Sequence, residues 1–387
     1  MKDCWSSYYE LNLTTKGFIS SCCVQDLEIS VDWNKVDNLE DWFVTNEILN
    51  KTRKDMNMGI EIPECQSCWI QESQGFKSRR VLKKIYHSGD VPTSTPTIRN
   101  LDLRLSNKCN LQCKMCTVTD SSQLYNLGIE LKDKGITDLL YQPDIVTHDI
   151  PTTKLLNLVL DLPNLKFIRF AGGEPFIMNE VEDFLQKLID NNKTHIEIEF
   201  ITNCTTVKQS VINKLKQFDN IAIACSIDAV GEQFEYQRYP AKWSVVEKNF
   251  KKLYECNFKR ITLTPCVSML NLTQIHKLIE WSNNFPNASF IFNEVDSPTF
   301  LNFRHVPLSE RKELIEAAKT IKSVNGDKNW QIFFDKKIHE YKEPTERERW
   351  RLKEFAEKIW NYRCDVKFLD MYPWAEQLYL KEENGIL

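Results

Sequence analysis

The chain has 387 residues, 42% of them hydrophobic and 27% charged, with a formal charge of −4. Such a chain is long enough for one large domain and a smaller one, and it can bury roughly three quarters of its unfolded surface without disulfide staples. Its slight negative charge gives no general pull toward anionic lipid, and direct recognition of a nucleic-acid backbone is disfavoured. The opening MKDCWSSYYELNL lacks the basic and long apolar regions of a signal peptide. No apolar run reaches the roughly 18 residues a membrane helix needs. Thirteen cysteines in a soluble chain of this kind imply a reducing cytoplasm, where metal binding is favoured over disulfides.

Residues 1–95 carry one cysteine set. Cys4 precedes Gly17, Cys22 follows that glycine at G-x4-C spacing, and Cys23 is next to it. A helical pattern over 38–56 leads to Cys65 and Cys68 as C-x2-C. A C-x2-C pair can be half of a zinc site, but the gap from Cys22 fits no common finger spacing, and the six histidines are scattered. The basic run 77–84, KSRRVLKK, reads as a solvated helix face, with a contact for an acidic partner or phosphate backbone as the alternative. Residues 88–97, rich in proline and hydroxyl side chains, read as a linker.

Next comes LDLRLSNKCNLQCKMC over 101–116. Leu101, Leu103 and Leu105 alternate with polar residues as a strand does, and a polar loop then carries Cys109, Cys113 and Cys116 as C-x3-C-x2-C. Three thiolates on one loop can hold three corners of a cubane cluster that normally takes four cysteines. A zinc knuckle or three unrelated buried thiols are the alternatives. After a polar insertion at 120–149, short apolar strands alternate with amphipathic helices. Strands are predicted at 166–171, 196–202, 221–227, 260–267 and 289–295, and helices at 155–160, 181–191, 211–218, 243–256 and 272–285. With the first strand this makes six βα units, fewer than the eight of a closed barrel. Chemistry in parallel α/β folds gathers at the carboxyl ends of strands. Gly172, Gly173, Glu174 and Pro175 fall at such an end, as do Thr202 and Asn203, Ser226 and Asp228, and Val267, Ser268 and Asn271. Beyond 300 the chain is charged, aromatic and largely helical over 308–324, 345–362 and 370–379. Trp330, Trp350, Trp360 and Trp374 are expected to pack these helices onto the barrel.

The C-x3-C-x2-C loop after a strand, followed by G-G-E-P and S-x-D at later strand ends, resembles the radical S-adenosylmethionine (SAM) enzymes. The resemblance implies an α/β fold, a partial (β/α)6 TIM-like barrel over 96–300, with a C-terminal helical extension over 301–387. It implies that Cys109, Cys113 and Cys116 hold a 4Fe–4S cluster whose open iron chelates SAM, and that an electron splits the sulfonium to give a 5′-deoxyadenosyl radical. By the same resemblance Gly172, Gly173, Glu174 and Pro175 meet the methionyl amine. Asn203, Ser226 and Asp228 serve the ribose side, and Arg238 pairs with the SAM carboxylate. Val267, Ser268 and Asn271, with Met115, lie toward the adenine. The pattern of Cys4, Cys22, Cys65 and Cys68 resembles the twitch domain, a shortened SPASM module, and implies one auxiliary 4Fe–4S cluster in a small domain over 1–95. Here, unusually, that set precedes the SAM core.

The activity implied is that of an oxidoreductase of the maturase type, reduced by a flavodoxin- or ferredoxin-type donor. Its substrate is expected to be a peptide or protein side chain that is oxidised, cross-linked or epimerised, with a nucleotide or small metabolite as the alternative. A non-catalytic iron–sulfur or zinc module is the reading from another class. Cys204 and Cys266, near strand ends, are candidates to return a hydrogen atom to a substrate radical, although buried thiols are commonly packing residues.

Overall fold

A computed structural model describes residues 4–73, 75, 77–86, 95–142, 151–320 and 333–380. It is an α/β fold with mostly parallel strands, and it packs as two compact units. The first comprises Met1–Lys108, Asp144–Ile201 and Lys208–Ile221, and the second Cys109–Pro143, Thr202–Val207 and Ala222–Leu387.

In the first unit, β1 (Glu10–Leu13) and β2 (Ile19–Ser20) form a hairpin. Beside β1 run β3 (Asn100–Leu103), β4 (Phe167–Phe170) and β5 (Glu197–Thr202), all parallel to it. The register aligns Leu13, Leu103, Phe170 and Phe200 in one buried row, and Leu11, Leu101, Ile168 and Ile198 in the next. Strand side chains alternate between faces, so the intervening positions fall on the opposite side. There Asn12, Asp102, Arg169 and Glu199 form a polar row across four strands. Phe170 meets Phe184 of helix Asn179–Asp190 edge to face at 5.5 Å, which fixes the apolar face.

The basic run at 77–84 departs from expectation. It is helical over Arg79–Tyr86, but Arg79, Arg80 and Lys83 turn inward while Lys77 and Lys84 stay exposed. Arg79 donates to the buried Glu10 at 2.6 Å, Lys83 lies 3.5 Å from the same carboxylate, and Arg80 pairs with Glu72. A buried carboxylate requires counter-charges, and the run supplies them within the chain. Residues 88–94 of the expected linker and 143–149 of the insertion lie outside the described residues.

The second unit holds β6 (Ile221–Cys225), β7 (Arg260–Leu263) and β9 (Ala288–Phe290) in parallel order, and a short parallel pair, β8 (Cys266–Val267) with β10 (Asn293–Glu294). The single strand expected at 260–267 is split because Pro265 has no N–H for a ladder. The insertion contributes an amphipathic helix, Ser122–Asp133, capped by Ser121 and burying Leu124, Leu127 and Leu131.

At the C-terminal end, Thr345 and Glu348 form a capping box for helix Glu346–Phe355. Trp360 is buried against Phe368 at 5.5 Å, whereas Trp350 is 50% exposed with Arg351 over its ring. The expectation that Trp350 packs is therefore corrected: its helix buries the stripe of Glu348 and Leu352 instead. Trp330 and residues 321–324 lie outside the described residues.

Helices Trp243–Tyr254 and Ile275–Ser282 are joined by an aromatic cluster, with Phe250 5.1 Å from Trp281 and 4.9 Å from Phe285. Replacing Phe250, which is fully buried, by Ala should cost about 3–5 kcal/mol through lost burial and an unfilled cavity. Urea unfolding followed by circular dichroism would check the loss.

Candidate functional site

The loop that follows β3 is shaped by hydrogen bonds to the 237–239 segment. Gln112 donates its backbone N–H to Tyr239 O at 2.7 Å, and Lys114 does so to Gln237 O at 2.9 Å. These bonds carry the loop past helix Gly231–Gln237 and set Cys113 against Arg238. Arg238 points Nη1 at Cys113 Sγ, 3.8 Å away, and donates Nε to Asp228 Oδ2 at 2.6 Å. Asp228 is fully buried. Its Oδ1 accepts from the backbone N–H of Cys266 at 2.8 Å, and its carbonyl accepts from Asn271 Nδ2 at 3.0 Å. Asn271 Oδ1 in turn accepts from the N–H of Ser268 at 2.8 Å. Asn203 extends Nδ2 toward Cys109 Sγ at 4.0 Å and bonds Asn110 at 3.1 Å. Ser226 donates its N–H to Thr202 O at 2.8 Å.

Within the second unit the sequence-predicted residues thus form two bonded groups, Cys109 with Asn203, and Cys113, Arg238, Asp228, Asn271 and Ser268. Val267 is buried in β8, and Met115 and Cys116 are partly exposed on the loop. Cys266 is also part of the second group through its backbone; Cys204 is buried and left-handed at φ 60°.

Burial pushes the Cys113 thiol up to about 12, with Arg238 pulling the other way. Burial, then Cys113, holds Cys116 well above the usual thiol range. Burial works against the Arg238 cation, but Asp228 and Cys113 outweigh it and raise its pKa. As bare thiols these sulfurs resist ionisation, and bound iron would offset that cost. Leu111 N–H also points at Cys109 Sγ, at 3.5 Å. Three thiol donors with N–H groups aimed at two of the sulfurs fit an iron–sulfur cluster. Among the described residues, no three His, Cys, Asp or Glu side chains converge as ligands of a single ion must. Each ligand of a cubane takes its own iron and is not so constrained.

Sequence reasoning missed Lys114, one of the two spacer residues between Cys113 and Cys116. It is buried over the Tyr236 ring, 4.0 Å from the centroid, and donates to Cys364 Sγ at 3.5 Å. Burial lowers its pKa to about 8. A small recess lies alongside, lined by Cys113, Lys114, Cys116, Trp360, Arg363 and Cys364 among others.

In the first unit, Gly172 (φ 71°) and Gly173 (φ 45°) follow β4 in a left-handed backbone. A Cβ on Gly173 would stand 2.3 Å from the carbonyl of Lys108, the residue before Cys109, so only glycine fits. Glu174 is fully buried, donates its N–H to the same carbonyl at 2.8 Å and caps Phe176 N–H at 3.1 Å; Pro175 follows in the turn.

Cys4, Cys22, Cys65 and Cys68 are all buried in this unit. Burial raises Cys4 to about 11 while the N–H groups of Ser7 and Ser6 pull it down, and Cys68 is an electrostatic neighbour. Burial raises Cys65 to about 12, with Cys4 and Cys68 adding to it. Burial also raises Cys22 and Cys23; Cys22 has Cys4 among its neighbours, whereas Cys23 has Arg79 and Asp102.

Residues 103–282 match the family model described as the Radical SAM superfamily. Among curated proteins, the chain is similar to the 7,8-dihydro-6-hydroxymethylpterin dimethyltransferase of Methanocaldococcus jannaschii. It is 25% identical over 248 residues, which are 61% of this chain and 42% of that protein. It is also similar to the radical SAM cyclopropyl synthase TigE of Paramaledivibacter caminithermalis, 25% identical over 141 residues, 36% of this chain and 29% of that one. The chain covers less than half the length of both relatives. Among solved structures it resembles Streptococcus suis SuiB bound to S-adenosylmethionine at 15% identity, covering 74% of this chain and 60% of that one with a TM-score of 0.43. It also resembles native anSMEcpe with bound AdoMet at 18% identity, covering 59% and 63%, with a TM-score of 0.40. No helix among the described residues is long and apolar enough to cross a membrane.

The pairing of Glu10 has a pH signature. Burial alone would raise its carboxyl, but Arg79 and then Lys83 overrule it and lower the pKa from 4.5 to about 2. A lowered carboxylate pKa stabilises the fold above the unfolded-state value, and that stability is lost as pH falls from 4.5 toward 2. The Glu10→Gln apoprotein should be less stable than wild type at pH 7, by on the order of 3 kcal/mol. The gap should close through that acid window in urea titrations at stepped pH.

Proposed function

We propose that the chain is a radical SAM enzyme in which Cys109, Cys113 and Cys116 hold a 4Fe–4S cluster whose open iron takes SAM. The observation that carries this reading is Cys113 held under the Arg238–Asp228 pair inside the matched segment. When bound, the reduced cluster supplies the electron that cleaves SAM to a 5′-deoxyadenosyl radical, which takes a hydrogen atom from substrate. The chain's own residues position and shield. Gly172, Gly173, Glu174 and Pro175 offer a tight turn to the methionyl amine. Asn203, Ser226 and Asp228 serve the ribose side, and Val267, Ser268, Asn271 and Met115 the adenine side. Arg238, with Nε on Asp228 and Nη1 aimed at Cys113, would pair with the SAM carboxylate.

Cys4, Cys22, Cys65 and Cys68 are assigned to a second, closed 4Fe–4S cluster that accepts or relays electrons. Their mutual electrostatic coupling and the N–H groups at Cys4 support this assignment. The organisation proposed is a twitch-like segment over 1–95, the SAM core over 96–300 and a helical extension over 301–387. The enzyme is an oxidoreductase working in the reducing cytoplasm with a flavodoxin- or ferredoxin-type donor. The twitch-like cysteine pattern supports a peptide or protein side chain as substrate. The similarity to a pterin dimethyltransferase favours a second reading, a small metabolite.

Anaerobic reconstitution should give about eight irons per chain, four for each cubane. Cys113→Ala should lower the count to about four and abolish 5′-deoxyadenosine release, whereas the double variant Cys65→Ser/Cys68→Ser should also hold about four but still cleave SAM. Wild-type protein that binds no iron at the loop and leaves SAM intact would overturn the reading. Deuterium transfer into 5′-deoxyadenosine from labelled peptides or pterins, read by mass spectrometry, separates the two substrate classes.

A further inference from the structure

We infer that Lys114 is the counter-charge of the cluster held by Cys109, Cys113 and Cys116, and that it sets that cluster's reduction potential. The inference rests on the cluster assignment proposed above and concerns a residue outside the motif's ligands.

Lys114 lies between Cys113 and Cys116 and is only 6% exposed. Its ammonium is 4.0 Å from the Tyr236 ring centroid and 5.4 Å from that of Trp360, and it donates to Cys364 Sγ at 3.5 Å. Its backbone N–H is spent on Gln237 O, which fixes where the side chain starts. Among the described residues no carboxylate forms an ion pair with it. An ammonium buried without an anion is costly, and aromatic faces with one thiol offset only part of that cost. Cys113 and Cys116 line the same recess as Lys114, and a cluster held on those thiolates would supply the anion. A cubane on three thiolates is negatively charged overall and gains one more negative charge on reduction. A fixed cation beside it therefore stabilises the reduced state more than the oxidised state and raises the potential. Arg238 approaches Cys113 Sγ at 3.8 Å, but Asp228 neutralises it at 2.6 Å. Lys114 is the cation left with charge to spare. Trp360 and Cys364 complete its enclosure, giving the C-terminal segment a part in the site.

The test compares Lys114→Met and Lys114→Arg in the full-length chain. After anaerobic reconstitution, the midpoint potential is read by EPR-monitored redox titration of the signal that changes on adding SAM, which isolates the loop cluster. Lys114→Met should make reduction about tenfold less favourable, a shift of roughly 59 mV to lower potential, while Lys114→Arg stays near wild type. Thermal unfolding of the apoproteins gives a readout that needs no cluster. Lys114→Met should melt above wild type, because an unpaired buried charge has been replaced by a side chain of similar volume. An unchanged potential in Lys114→Met at wild-type iron content, or an apoprotein that melts below wild type, overturns the inference. If wild type itself holds no cluster at the loop, it is the proposed function that fails, while a higher-melting Lys114→Met apoprotein would still show the cation to be unpaired.

Discussion

The ion pair between Asp228 and Arg238 is the joint on which the second unit's site turns. Three polar atoms of Asp228 serve three different segments: Oδ2 takes Arg238, Oδ1 takes the N–H of Cys266, and the carbonyl takes Asn271. The end of β6, the segment after helix Gly231–Gln237, β8 and the cysteine loop are thereby referred to one carboxylate. Such a pair contributes little net stability, because desolvating two charges consumes most of their attraction. Removing one partner is another matter and costs about 3–5 kcal/mol, since the other is left buried and alone. The arrangement therefore works as a device for position: it penalises every conformation in which Cys113 is not under the guanidinium.

The first unit uses charge in a related way. Its apolar rows meet helices, whereas the opposite face carries Asp102, Arg169 and Glu199, with Arg169 bonded to Glu199 at 2.5 Å and to Asp102 at 3.1 Å. Barrel interiors are ordinarily filled by layers of branched aliphatic side chains. A sheet face that accepts buried ions instead accepts their desolvation cost, and such faces are where functional sites are found. Glu10 belongs to this face two residues before Asn12 on β1, and its counter-ions come from the helix at Arg79–Tyr86.

Much of this was legible in the sequence, for definable reasons. The strands at 166–171, 196–202 and 221–227 were readable because buried parallel strands are short, apolar and closed by polar turns. The cysteine loop was readable because ligand spacing is a local property. What escaped depends on partners far along the chain. KSRRVLKK looks solvated because nothing near it in sequence announces Glu10, 69 positions away from Arg79. Helix Gly231–Gln237, GEQFEYQ, is too polar to read as buried, yet Gln233 and Gln237 are inside, with Gln233 donating to Leu270 O at 2.7 Å. Lys114 was invisible because its significance comes from Tyr236, Trp360 and Cys364, none of them adjacent in sequence.

The neighbouring thiols Cys22 and Cys23 show how a turn can divide two identical residues between two environments. Ser20 Oγ donates to Cys22 O at 3.0 Å and Gln25 N–H to the same carbonyl at 3.2 Å, which folds the chain back just after β2. Successive side chains in such a turn leave in different directions. Cys22 is coupled to Cys23, Glu10, Cys4 and Arg79, and Cys23 to Arg79, Asp102, Glu10 and Arg169, so the two share the Glu10–Arg79 pair and differ in Cys4 against the ions of the polar face. The left-handed Gly17, at φ 80°, closes the β1–β2 turn by donating its N–H to Thr14 O at 2.9 Å. It is thus the residue that turns the chain from β1 into β2, just ahead of the two adjacent thiols.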